Sequence, residues 1–275
     1  MGLEDQLMDE VRNGTQIDIE RSLLIVSGCD TEEKVAEYRT KLDELDRRYH
    51  EFIDKYDLSR LNTELKAEGL HLHLWMKGGQ RFESKIYRLT DNIDGQMLYN
   101  GANPVGNCVG LSSLYIVLGL RNNFPLGIYD SPEHTSVALI LPERTINIES
   151  TDIKGFNRKP EKFARQAGVN SLLSGVFCSK GNKLVEVGQY EKAEPMFEMA
   201  IMLDDKNITA INSMGCFAGD CSSHEEAIEW FTKAISLCSQ YALPYFNRSR
   251  ARTKIGDLKG AEEDMNRYRK LVVAK

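Results

Sequence analysis

The last hundred or so residues repeat with a period of 34. Ala193, Ala227 and Ala261 fall at that spacing, as do Phe197, Phe231 and Met265, and Ala200, Ala234 and Tyr268. Gly181, Gly215 and Ser249 keep the same register. A period of this length, with small residues in fixed columns, belongs to two short helices joined by a turn. The small side chains let the paired helices approach. Such a unit cannot bury its apolar face alone, so the copies have to stack. In "GQYEKAEPMFEMAIMLDD", Gly188 stands at the turn, and Tyr190, Ala193, Phe197 and Ala200 form the packing stripe.

This pattern resembles the tetratricopeptide (TPR) repeat in three copies, over 174–207, 208–241 and 242–275. The third copy departs most, with Tyr268 where a small residue is usual. Three copies imply a short all-α solenoid with a concave face. In the TPR register that face presents Cys178, Asn182, Asn212, Cys216, Phe246 and Arg250. This is not the full Lys/Asn/Arg set with which some TPR proteins clamp a peptide's C-terminal carboxylate. The resemblance implies a protein or peptide partner, met by Asn182, Asn212, Phe246 and Arg250. The third repeat carries nine Lys/Arg against four Asp/Glu, in a chain of net charge −6. That asymmetry suits either an acidic partner or a solvated outer face. Repeats that only buttress the preceding domain would carry the same pattern.

The chain of 275 residues has room for two ordinary domains. Its 41% hydrophobic and 28% charged residues belong to the soluble globular class. The acidic start, MGLEDQLMDEVRNG, is unlike a signal peptide. The apolar run around Leu114–Leu120 is far short of the ~20 residues of a membrane span. The negative net charge speaks against a nucleic-acid binder. Six cysteines without a CxxC or a dense framework read as reduced thiols, and hence as a cytoplasmic protein. Cys216, Cys221 and Cys238 lack the spacing of a zinc site. His71 and His73 in "HLHLW" would share a strand face but have no further ligands nearby in sequence. No metal and no cofactor is expected, and the oligomeric state is open.

Before the repeats, residues 17–64 read as helices. "DTEEKVAEYRTKLDELDRRYHEFIDKY" has apolar spacing near 3.6 and an acidic start. Residues 76–107 read as a long irregular connection rich in Gly, Asn and Asp, and such loops are often functional. "GNCVGLSSLYIVLGL" follows, from Gly106 to Leu120. Asn107 is a good N-cap, which places Cys108 on the first turn of a helix. Leu111, Tyr115 and Leu118 continue its face, so the stripe also fits plain core. Yet the free amides and dipole of a helix N-terminus favour a thiolate. Gly106 and Gly110 leave room for another chain to approach the sulfur.

The next segment adds two partners. "PEHTSVALILPERTINIESTD" reads as a hairpin with strands from about His134 to Leu141 and from Thr145 to Thr151. If Leu141 pairs with Arg144, Ser136 faces Glu149 and His134 faces Thr151. His134 and Glu149 then share a sheet face as diagonal neighbours, roughly 7–8 Å apart at Cα. An odd-length loop would reverse this. A thiolate, an imidazole to move its proton and a carboxylate to orient the imidazole are the three parts of cysteine-based acyl transfer.

Cys108 opening a helix, His134 opening a strand and Glu149 on the next strand resemble the transglutaminase-like superfamily. "GNCVGLSSLY", "PEHTSVAL" and "NIESTD" are similar to prokaryotic proteins that join such a domain to TPR repeats. The resemblance spans roughly 15–275. It implies an α+β chain: a papain-like, transglutaminase-like domain with a helical N-terminal part over 1–165, then the TPR solenoid over 174–275. It assigns Cys108 as nucleophile, His134 as acid/base and Glu149 as orienting carboxylate. It also implies an oxyanion site. The backbone amide of Cys108 is one donor, and Tyr99, Asn103 and Asn107 are candidates for the second. Two departures stand out. Glu149 occupies a position that is usually Asp, and Thr135-Ser136 replaces the usual aromatic after the histidine. The function implied is a cysteine-dependent amide or peptide hydrolase, or an acyltransferase. The alternative is a non-catalytic TPR adaptor carrying a degenerate domain of that fold.

Overall fold

The computed structural model describes residues 2–76, 83, 85–98, 105–132 and 134–273. The chain divides into two compact units, Met1–Val176 and Phe177–Lys275. In chain order the first unit contains α1 (Leu3–Arg12), α2 (Ile19–Val26), α3 (Glu32–Lys55), α4 (Thr63–Trp75), α5 (Leu89–Met97) and α6 (Cys108–Arg121). The strands β1 (Leu126–Ser131), β2 (His134–Ile140), β3 (Thr145–Ile148), β4 (Phe156–Arg158) and β5 (Arg165–Ala167) follow. Helix α7 (Asn170–Glu186) contains the division between the units. The second unit continues with α8 (Tyr190–Leu203), α9 (Ile208–Asp220), α10 (His224–Leu237), α11 (Leu243–Lys254) and α12 (Leu258–Val273).

Short polar side chains start the helices of the first unit. Asp18, Thr31, Asn62 and Asn107 each accept a hydrogen bond from the backbone amide three residues on, capping α2, α3, α4 and α6. Each cap satisfies an amide that has no partner inside its helix. Two of the sequence expectations are corrected here. Residues 71–75 are helix, not strand, so His71 and His73 do not share a face. His71 is buried with Nε2 3.1 Å from the Ile153 carbonyl, while the His73 ring lies 5.4 Å from Phe52 and 6.0 Å from Tyr49. The connection over 76–107 is not wholly irregular either, because α5 lies within it.

The five strands form one antiparallel sheet in the order β4-β3-β2-β1-β5. Val137 faces Ile148 and Ile140 faces Thr145, the register that a Leu141–Arg144 closure dictates. That closure is present, with Leu141 N donating to Arg144 O at 3.0 Å. Helix α6 packs against β1 and β2 on one side and against α5, α4 and α3 on others. Every residue from Gly110 to Gly119 is buried. The apolar stripe expected on one side of α6 is therefore a helix buried all round. Tyr115, at its centre, donates its hydroxyl to the Ala67 carbonyl at 2.7 Å, which ties α6 to α4. At the far end Arg121 bonds Glu20 at 2.7 Å and Asp43 at 2.6 Å, joining α6 to α2 and α3.

The second unit is built on the 34-residue period. A Cβ on Gly181 would lie 2.6 Å from the Phe197 ring, and one on Gly215 would lie 2.6 Å from the Phe231 ring. The missing side chain is thus what lets each first helix rest on the aromatic of its second. Ala193, Ala200, Ala227 and Ala234 are fully buried beside them. In the third pair both members change together: Ser249 replaces the glycine, and the flexible Met265 replaces the ring. Tyr268, large where the period has alanine, packs 5.2 Å from Phe246 and joins the cluster of Ala242, Tyr245 and Leu271.

Candidate active site and repeat groove

The Cys108 side chain stands on the first turn of α6, half-buried, behind the Asn107 cap. Asn107 Oδ1 accepts from Gly110 N at 3.0 Å, and Asn107 N donates to the Ile86 carbonyl at 2.7 Å. The backbone amide of Cys108 is one of those a helix start leaves without an intrahelical partner. Tyr99 and Asn103 lie outside the described residues.

Gly106 and Gly110 are filled from within the protein, which corrects the expectation that they clear a path to the sulfur. A Cβ on Gly106 would fall 1.9 Å from Asn92 Oδ1, and one on Gly110 would fall 2.3 Å from Asn92 Nδ2. Asn92 sits on α5, is fully buried, and donates Nδ2 to the Arg88 carbonyl at 2.7 Å. Among the described residues its Oδ1 has no hydrogen-bond partner. The reading of 76–107 as a loop hid this residue. The glycines on either side of the Asn107-Cys108 pair were its only sequence signal.

His134 opens β2, and Glu149 follows the last residue of β3. His134 Nε2 donates to Glu149 Oε2. The Cys108 side chain lies near enough to the His134 ring to favour its charged form. Of the three residues named from the sequence, His134 and Glu149 are therefore in contact, with Cys108 beside the ring. Burial alone would hold His134 neutral, but the nearby Cys108 and the hydrogen bond and charge of Glu149 outweigh it and push its pKa up to about 10. Burial would likewise raise the Glu149 carboxyl, yet His134 and then Thr151 bring it below the usual carboxylate value. Glu149 Oε1 accepts from Thr151 N at 3.0 Å and from the Thr151 hydroxyl. Thr151 is a further residue the sequence reading missed in this role.

In the second unit Arg250 is exposed on α11 with its guanidinium 5.9 Å from the Phe246 ring centre. With Asn247, Lys254, Cys216, Asp220 and His224 it lines a groove of about 130 Å³ between α9, α10 and α11. Asn212 is not among the lining residues, but its Oδ1 accepts from Nδ2 of the lining Asn247 at 3.2 Å. Asn182 is exposed on α7, and its Nδ2 donates to Cys178 Sγ at 3.8 Å. Neither Asn182 nor Phe246 lines the groove. Asn247 and Lys254 are lining residues that the repeat register did not single out.

Among the described residues no cluster of three or more His, Cys, Asp or Glu side chains is arranged to hold a metal ion. No helix among them is long and apolar enough to cross a membrane.

Comparison with known proteins bears on the repeats. The family model for the tetratricopeptide repeat matches residues 208–241. Among solved structures, the second TPR of Spaghetti (RPAP3) bound to an HSP90 peptide is 26% identical, covering 37% of this chain and 89% of that one at a TM-score of 0.36. The Arabidopsis OM64 TPR domain is 24% identical, covering 38% and 88% at a TM-score of 0.37. No match was found among curated proteins. The chain thus carries a tetratricopeptide-repeat module, a kind of scaffold that uses extended surfaces for binding.

Proposed function

We propose that this chain joins a cysteine-dependent acyl-transfer centre to a TPR module that holds a protein or peptide ligand. The centre would lie in a papain-like, transglutaminase-like domain over 1–165, and the repeats over 174–275. The observation that carries the reading is His134 bonded to Glu149, with Cys108 close enough to favour the charged ring.

The chemistry follows from those contacts. The Cys108 thiolate attacks an amide carbon, and the carbonyl oxygen takes up negative charge beside the Cys108 backbone amide. Glu149 occupies Nε2 of His134, which leaves Nδ1 for the sulfur side. His134 gives its proton to the departing amine as the C–N bond breaks, leaving a thioester on Cys108. Neutral His134 then takes a proton from the second nucleophile. Water yields a carboxylic acid, and an amine yields a new amide. We favour hydrolysis of a peptide or protein amide. The match over 208–241 supports a protein or peptide ligand for the repeats, with Arg250 as its main polar contact.

p-Nitrophenyl acetate tests the centre without knowledge of the substrate. The reading expects a burst of nitrophenolate equal to the protein present, with acetate found on Cys108. The burst should disappear in Cys108→Ala. Release that is unchanged in Cys108→Ala contradicts it.

A second reading, a TPR adaptor with a non-catalytic first unit, is favoured by one observation: the family match lies wholly within the repeats. Under that reading the burst is absent, while Arg250→Glu still loses a ligand in a pull-down.

A further inference from the structure

The carboxylate of Glu149 has one oxygen turned to His134 and the other turned away from it. Oε1 receives two donors from the same residue, the Thr151 backbone amide at 3.0 Å and the Thr151 hydroxyl. The chain here closes on itself. Glu149 N donates to Gly155 O at 3.0 Å, Asp152 N to Glu149 O at 3.3 Å, and Gly155 N to Asp152 O at 2.9 Å. A Cβ on Gly155 would lie 2.1 Å from Glu149 O and 2.7 Å from Glu149 Cβ. Residues 149–155 are thus a tight turn folded back on the base of Glu149.

A glutamate needs this more than an aspartate would. It has one more rotatable bond, and each side-chain torsion left free lowers the share of time in which Oε2 meets the imidazole. The two donors on Oε1 remove that freedom. They also satisfy the lone pairs that His134 does not reach, and a buried carboxylate requires this.

We propose that Thr151 is a positioning residue, holding Oε1 of Glu149 so that Oε2 is presented to His134. The proposal rests on the catalytic reading of Cys108, His134 and Glu149. In this role Thr151 acts through Glu149.

Its sign separates it from a purely electrostatic effect. A hydroxyl that only stabilised the carboxylate would, on removal, leave Glu149 a stronger acceptor, and His134 would hold its proton more tightly. A hydroxyl that orients the carboxylate does the opposite, and its loss loosens the proton on His134.

The test is the titration midpoint of the His134 ring, followed by NMR in full-length protein carrying 13C-labelled histidine. The titratable groups facing that ring are Cys108 and Glu149. Thr151→Val keeps the shape and the backbone amide but drops the hydroxyl. It should lower the midpoint by about one unit, the loss of one charge-assisted hydrogen bond. Thr151→Ser restores the hydroxyl and should restore the midpoint. Glu149→Gln should lower it further. A midpoint unchanged or raised in Thr151→Val, with Glu149→Gln still lowering it, overturns the positioning role and leaves the catalytic reading standing. A midpoint unmoved by Glu149→Gln overturns both.

Discussion

Glu149 meets His134 across the hairpin of β2 and β3, one carboxylate oxygen on Nε2 of the ring. Together with Cys108 this raises the imidazole pKa to about 10. A histidine whose proton is held in the folded state and released in the unfolded one stabilises the fold below its unfolded value of ~6.5. That stability is lost as the pH climbs through the folded value. Urea midpoints of the wild type should therefore fall between pH 7 and pH 10, more steeply than those of Glu149→Gln. Parallel curves for the two proteins would show that the pair does not hold the proton.

Asn92 and Gly110 should prove to be one fitted pair. Gly110→Ala pushes a methyl into the Asn92 amide, and an overpacked core contact of this kind costs about 1–3 kcal/mol. Asn92→Ala opens the space, so the double variant should regain part of the loss. A double-mutant cycle in urea measures the coupling, expected at about 1 kcal/mol or more. Additive effects would mean that the two residues do not press on each other.

The change in the third repeat makes a matched prediction. Gly215→Ser should cost about 1–3 kcal/mol because the side chain meets the Phe231 ring. Adding Phe231→Met, which reproduces the Ser249 and Met265 combination, should recover some of it, since an unbranched methionine yields where a ring does not. Thermal midpoints of the wild type and the two variants decide the matter.

Among the described residues of the second unit, Asp264 is a deeply buried carboxylate held in an ion pair. It bonds Arg248 at 2.7 Å and Arg252 at 3.0 Å, and its side chain is only 5% exposed. Asp264→Ala leaves two arginines without their shared partner, a loss on the order of 3 kcal/mol. Urea unfolding checks it. A loss under 1 kcal/mol would place this pair with ordinary surface pairs.

What could be read from the sequence was whatever has a period or a parity. The 34-residue spacing set Phe197 and Phe231 in one column and Gly181 and Gly215 in another, and the structure sets each ring on its glycine. The meeting of His134 and Glu149 was legible through loop length, because closure at Leu141 and Arg144 fixes which residues share a face, and the place of Cys108 on the first turn through Asn107 as a cap. What escaped were features without a pattern. "HLHLW" alternates like a strand, but Asn62 and the helix formers before it set a helix that carries on through Trp75. Helix α5 is short and polar, because Asn92 and Gln96 are buried on it where apolar residues would have announced it. Asn247 and Lys254 belong to the groove only through the side-by-side packing of α9 and α11, which a single repeat does not encode.

The central claim is that Cys108 and His134 act as a unit, and the alkylation rate of Cys108 tests it most directly. The full-length protein is treated with iodoacetamide at pH 7, and labelling of the Cys108 peptide is followed by mass spectrometry in the wild type and in His134→Ala. The account predicts that Cys108 reacts at least about ten times faster than a model thiol, since the neighbouring imidazole assists attack by the sulfur. It also predicts that His134→Ala removes most of that advantage. Labelling no faster than the model thiol, and unaffected by His134→Ala, would contradict the account.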